Sequence, residues 1–173
     1  MSIASIESVE PSRYREVLGR VPTSVAIIAA ISDGTPVGVS VGSFTSVSLT
    51  PPLVGFYIAH TSSTWPHIGR VGRFCVNVLG DEQETLGRQF AVSGGDKFAG
   101  VGYRLTEGGT PVLDGVTAWI ECDLERVVEA GDHMLVLGAV RDLGCKHNMS
   151  PLVFLGGAFP RLTAPSGVTE HAH

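Results

Sequence analysis

Residues 37–57 read VGVSVGSFTSVSLTPPLVGFY. Val37, Val39 and Val41 alternate with Gly38, Ser40 and Gly42, the period-two pattern of a strand with one apolar face and one face of small residues. A face without bulk leaves room for something flat. The strand runs into a hydroxyl-dense loop, Ser43 to Ser48, and Thr50-Pro51-Pro52 closes it before a second apolar run, Leu53 to Ile58. Hydroxyls and free backbone N–H groups would then line the edge of the flat space, a cradle for a planar, polar-edged ligand. Taken by itself, the stretch is better read as an ordinary hairpin with a Ser/Thr-rich turn, because such turns are common.

Upstream, Val25 to Ile31 is a continuous apolar run with the length of a strand buried on both faces, and Asp33-Gly34 turns it into the Val37 strand. Pro11 to Arg20 places Tyr14, Val17 and Leu18 at helical spacing, with Ser12 as an N-cap and Gly19 near the end, a short helix expected to lie on the sheet. Downstream, Thr61-Ser62-Ser63-Thr64-Trp65-Pro66 marks a helix start ringed with hydroxyls. Pro is tolerated in the first turn, and such an end favours anions, phosphate among them. N-capping alone accounts for Ser63 or Thr64 but leaves the other hydroxyls unexplained.

Arg73 to Leu79 reads as a strand, and Glu82 to Ala91 as a helix with an acidic, capping-box-like start and Leu86 and Phe90 on one face. Ser93 to Phe98 is a loop carrying Lys97 and Phe98, by themselves a solvated cation and a core aromatic. In Ala118 to Val128, Ile120, Cys122 and Leu124 face one way and Glu121, Asp123 and Glu125 the other, as in a half-exposed antiparallel strand. His133 to Val140 is apolar on both faces, Arg141 to Asn148 a polar connection, Pro151 to Leu155 a last strand, and Gly156-Gly157 a close backbone approach. Six or seven strands with two or three short helices imply a mainly β fold, a closed or nearly closed antiparallel barrel with peripheral helices.

Composition narrows the function classes. One domain over 1–162 is expected at this length, with a disordered tail over 163–173 whose His171 and His173 are solvated rather than metal-bound. The 43% hydrophobic and 17% charged content favours a β-rich domain or one that buries surface in an oligomer, and a net charge of -5 with no basic stripe argues against nucleic acid. Cys75, Cys122 and Cys145 form no C-x-x-C pair, so reduced thiols in a cytoplasmic protein are expected, with no metal site. No basic leader and no uninterrupted apolar stretch near ~18 residues is present, so neither secretion nor a membrane is expected. Walker loops, H-E-x-x-H and dinucleotide fingerprints are missing from the sequence, and the G-x-S-x-G match at Gly38-x-Ser40-x-Gly42 lies inside a strand without hydrolase context, which disfavours a hydrolase.

Six pieces in order, PVGVSVGSFTSVSLTPPL, TSSTWPHI, GRFCVNVL, Gln89-Phe90 with Asp96-Lys97-Phe98, Gly131-Asp132-His133 and PLVFLGG, resemble the flavin reductase family with the FMN-binding split-barrel fold. The likeness runs from about Tyr14 to Phe159. Members are the small reductase components of two-component monooxygenases. The resemblance implies an antiparallel split β-barrel, FMN or FAD as flavin and NADH or NADPH as hydride donor. It also implies a homodimer, and a flavin-dependent monooxygenase that receives reduced flavin by diffusion. Carried over by position, Gly42, Ser43, Phe44, Thr45 and Ser48 meet the flavin, the ring edge largely through backbone groups. Ser62, Ser63 and Thr64 take its phosphate, with Arg88 as a further partner, and Lys97 and Phe98 close over it. His133 is the catalytic position that places the nicotinamide, with Phe154, Gly156 and Gly157 beside it.

Two departures stand out. Gly42 occupies a place where many relatives carry Gln or Asn, and Leu155-Gly156-Gly157 replaces an Arg-Gly pair near the nicotinamide nucleotide. The second departure leaves open a protein of the same fold that binds flavin and passes electrons without catalysing a fast reaction with NAD(P)H. Haem binding on a related barrel is weaker, since His133 is the only well-placed histidine.

Overall fold

A computed structural model describes residues 9–162; the expected tail with His171 and His173 lies outside the described residues. The chain begins with helix α1 (Pro11–Leu18) and strand β1 (Thr23–Ser24), then runs through β2 (Ala26–Ser32) and β3 (Thr35–Val41). Asp33 and Gly34, at φ 51° and 77°, make the tight turn between β2 and β3, a geometry that twists with the strands and suits Asp-Gly. β4 (Thr45–Leu49), β5 (Pro52–Ala59), α2 (Trp65–Val71), β6 (Arg73–Val78) and α3 (Glu84–Ala91) follow. The chain closes with β7 (Tyr103–Leu105), β8 (Pro111–Leu113), β9 (Ala118–Ala130), β10 (His133–Cys145) and β11 (Val153–Phe154).

Seven strands form one antiparallel sheet in the order β3-β2-β6-β9-β10-β5-β4, and β1–β11 and β7–β8 form two small ladders. Of the expected closed or nearly closed barrel, full closure is not formed: among the described residues no ladder joins the edges β3 and β4. The reason lies at Ser43, whose Oγ accepts from the Tyr57 N–H at 2.8 Å and donates to the Tyr57 carbonyl at 3.2 Å. A side chain thus occupies the backbone groups of β5 where its pairing with β4 has ended at Gly55.

β2 is buried on both faces, as its unbroken apolar run requires. Ala26, Ile28 and Ala30 join an inner core with Phe56, Phe74 and Val136, against which α2 lays Trp65 and Ile68; Ile27 and Ala29 join an outer core with Phe90, Phe98 and Leu152. Phe56 meets Trp65 and Phe74 edge-on at 5.9 and 5.6 Å, the arrangement aromatic quadrupoles favour. Each fully buried side chain of this size contributes roughly 1.5–3 kcal/mol of transfer free energy.

Several local expectations change. Residues 45–49 are a strand rather than loop, β10 continues through the polar residues to Cys145, and a hairpin over 103–113 was not anticipated. α1 buries none of its residues, so Tyr14, Val17 and Leu18 remain exposed. α3 starts at Glu84. In place of an acidic cap, Gln83 Oε1 accepts from the Gly80 N–H at 2.9 Å and its Nε2 donates to the Asp114 carbonyl at 2.8 Å. Glu121, expected on a solvated face, is 4% exposed. The Thr106 and Thr110 hydroxyls donate to it at 2.5 and 2.8 Å, so hydrogen bonding offsets the cost of burying the carboxylate. With Asn77, which donates to the Pro111 carbonyl at 3.1 Å and accepts from the Leu113 N–H at 2.8 Å, it pins the 103–113 hairpin over β6 and β9.

Candidate functional site

The gap that keeps the sheet open contains a cavity of about 850 Å³, within the ~300–1,000 Å³ common for small-molecule sites. Val39, Ser40, Val41, Gly42 and Ser43 form one wall, and Tyr57, Ile58 and Ala59 the opposite one. Thr61 to Thr64, Lys97 and Arg88 stand at one polar boundary, His133 at another, and Tyr14, Leu18, Phe154 and Phe159 form an apolar border. The sequence folds this way because the small-residue face of β3 serves two ends. At Gly38 a Cβ would lie 2.6 Å from the Phe90 ring, so α3 fills that part of the face, while Ser40 and Gly42 beyond it border the cavity, Gly42 with Thr23 Oγ1 only 3.1 Å from where a Cβ would stand.

Of the positions expected at the site, Gly42, Ser43, Ser62, Ser63, Thr64, Arg88, Lys97, His133 and Phe154 border the cavity. Phe44 is half-buried against the inner core. Thr45 and Ser48 belong to β4, where the Thr45 hydroxyl donates to the Ser46 carbonyl at 3.2 Å. Phe98 is buried in the outer core, edge-on to Phe90 at 5.0 Å and Tyr103 at 5.5 Å. Gly156 and Gly157 line a neighbouring groove. Tyr57, Thr61, Phe159 and Tyr14 border the cavity without having been singled out. Tyr57 carried a signal, being the one aromatic that alternation in β5 turns away from Phe56.

The polar boundary holds donors in excess. Ser62 Oγ accepts from the Trp65 N–H at 3.2 Å, while the amides of Ser63 and Thr64 donate to no group among the described residues. Lys97 Nζ donates to Thr64 Oγ1 at 3.4 Å and to the Phe90 carbonyl at 3.2 Å, and burial lowers the pKa of its ammonium. Gln89 fixes this loop by donating to the Lys97 and Ala99 carbonyls at 2.8 and 3.2 Å. An ammonium beside hydroxyls and free amides matches an anionic group such as phosphate. At the other edge, the Ser43 amide also lacks an acceptor among the described residues, so an acceptor-rich rim of a flat ring can be met there by a backbone donor. A planar, phosphate-bearing group therefore fits these residues, with Val39, Val41 and Ile58 as apolar surface.

Arg88 is turned partly aside: it pairs with Glu84 at 2.9 Å, one helical turn back, and lies 4.8 Å over the Phe159 ring, an arrangement that steadies the cation. His133 enters β10 opposite Ala59, with Nδ1 2.6 Å from Asp132 Oδ1. That hydrogen bond holds the Asp132 carboxylate below its ordinary pKa, and it commits Nδ1, which leaves Nε2 for a ligand. No group of three or more His, Cys, Asp or Glu among the described residues could hold a metal ion.

The flavin reductase like domain model matches residues 18–163. A flavin reductase of Pseudomonas putida is 48% identical, over 88% of this chain and 90% of its own length. The reductase subunit HsaB of a flavin-dependent monooxygenase from Rhodococcus jostii is 42% identical, over 92% of this chain and 84% of its own. The NADH:FAD oxidoreductase SgcE6 of Streptomyces globisporus, solved with NAD and FAD fragments, superposes with a TM-score of 0.86 at 33% identity, covering 94% of this chain and all of that one.

Proposed function

The chain belongs to the flavin reductase like domain family, and we propose that it is an NAD(P)H:flavin oxidoreductase whose reduced FMN or FAD serves a partner flavin-dependent monooxygenase. The observation that carries this reading is the cavity between β3 and β5, which combines an apolar slot, backbone donors without acceptors among the described residues and a cationic, hydroxyl-rich end. Flavin supplies the hydride acceptance. The chain binds, orients and excludes water.

In this reading Ser43 and Phe44 offer their amides to the ring edge, beside Gly42. Ser62, Ser63, Thr64 and Lys97 hold the phosphate. Arg88 adds positive charge but keeps its bond to Glu84. Phe98 acts one layer back, by packing under the loop that carries Lys97, and Thr45 and Ser48 act by pairing β4 to β5. His133, steadied by Asp132, places the nicotinamide together with Phe154. We read the open sheet, curled so that β3 approaches β5, as a split barrel. A homodimer is supported by Val47, Leu49, Tyr57 and Val128, all exposed on the β4-β5-β10-β9 sheet, an apolar fraction that favours burial against a second copy. Three free cysteines accord with a cytoplasmic setting.

The test mixes flavin-free protein with FMN or FAD and NADH or NADPH and follows nicotinamide absorbance. Oxidation that scales with added free flavin is expected. In His133→Ala the apparent KM for the nicotinamide nucleotide rises while flavin affinity holds, and an unchanged KM would remove that role. Tight flavin binding without oxidation would instead favour the electron-transfer protein that the cation-poor Leu155-Gly156-Gly157 segment leaves open.

A further inference from the structure

Beside the cavity, at the end of α1, lies a second groove of about 810 Å³ lined by Arg15, Glu16, Gly19, Arg20, Gly156 and Gly157 among others. Gly19 borders both spaces. One residue along the chain, Leu155, separates Phe154, at the cavity, from Gly156, in the groove. The Gly156-Gly157 turn is tight, closed by Leu155 and Ala158 at 2.9 and 3.0 Å, and it docks on α1 through the Gly156 N–H, which donates to the Gly19 carbonyl at 2.9 Å. Both glycines have positive φ, 58° and 88°, and a Cβ at Gly157 would meet nothing within 4 Å. A ligand can approach this backbone closely.

Arg15 and Arg20 are exposed, and neither has a carboxylate within 4.0 Å among the described residues. Glu16 is the one acid in the lining. Planar guanidinium groups without a protein partner recognise phosphate through paired hydrogen bonds. The strand that ends in Leu155-Gly156-Gly157 brings no cation of its own, and the fold sets two beside it from another element.

We infer that this groove holds the phosphate groups of the nicotinamide dinucleotide, with Arg15 and Arg20 supplying the charge that the Gly156-Gly157 turn lacks. The inference rests on the reductase reading. A dinucleotide with its nicotinamide near His133 and Phe154 passes Gly19 and lays its phosphates in the groove.

The test measures NAD+ and NADP+ binding calorimetrically, and flavin binding by fluorescence, for the wild type and for R15Q/R20Q. The double variant is expected to weaken dinucleotide binding at least roughly tenfold, with flavin affinity and the thermal transition unchanged. Its affinity should also lose most of the salt dependence seen in the wild type. Weakening of both dinucleotides assigns the pyrophosphate, and weakening of NADP+ alone assigns the 2′-phosphate; either supports the groove. Equal affinity in variant and wild type overturns it while leaving the reductase reading intact, whereas a wild type that binds neither dinucleotide overturns both. If R15Q/R20Q does not fold, Glu16→Gln gives a second arm: removing the one acid should tighten dinucleotide binding, and no change counts against the groove.

Discussion

The Ser43 hydroxyl is committed to the backbone of Tyr57, so only its amide remains for a ligand. The resemblance implied a largely backbone contact for this residue, but the partner that occupies its hydroxyl was not legible in the sequence, because that commitment depends on where β4 stops pairing with β5. The same limit applies to Phe98, legible as part of a family motif yet buried in the outer core, and to Glu121, whose partners Thr106 and Thr110 lie in a hairpin that no periodicity announced. Cysteine behaviour is decided at this scale too. Burial pushes the Cys75 and Cys122 thiols up to about 12, while Cys145 is exposed. Since the thiolate is the reactive form, titration with a chromogenic disulfide should label one thiol in the native protein and three after denaturation. Rapid native labelling of more than one would contradict the packing of β6 against β9.

At the scale of elements, β3 and α3 are coupled through Gly38, where the nearest atoms to an added Cβ belong to a fully buried Phe90 ring at 2.6 and 2.9 Å. Gly38→Ala should therefore destabilise the fold by about 1–3 kcal/mol through overpacking, read as a lower urea midpoint with unchanged slope. A neutral result would mean that α3 can move away. Elements with strong local signals were legible: the unbroken run of β2, the Asp33-Gly34 turn and the Pro-led start of α2. The strand over 45–49 was not, because its hydroxyl-rich composition resembles a loop and its pairing comes from β5. β10 outruns its apolar segment because Asp123 of β9 bonds Arg73 of β6 and Arg141 of β10. The Arg73 guanidinium, with Arg141, holds that carboxylate below its ordinary pKa.

For the whole molecule, the cavity is a product of incomplete closure. The sheet stays open between β3 and β4, and the opening is bordered by a backbone donor at Ser43, an ammonium at Lys97 and an imidazole at His133. Most of these residues could be named from the sequence. Their division between one cavity and an adjoining groove could not, since it depends on how α1 and the Gly156-Gly157 turn meet. The most direct measurement is a fluorescence titration of FMN and riboflavin against wild-type protein and Lys97→Ala. FMN affinity should fall roughly tenfold in the variant, as expected for loss of a charge-assisted phosphate contact, with riboflavin affinity unaltered. Burial lowers the Lys97 pKa, so wild-type affinity for FMN should decline with rising alkaline pH, and at a lower pH than an ordinary lysine would set. Equal FMN affinity in both proteins, or a parallel loss for riboflavin, would contradict the placement of the flavin phosphate between Lys97 and the Ser62–Thr64 turn.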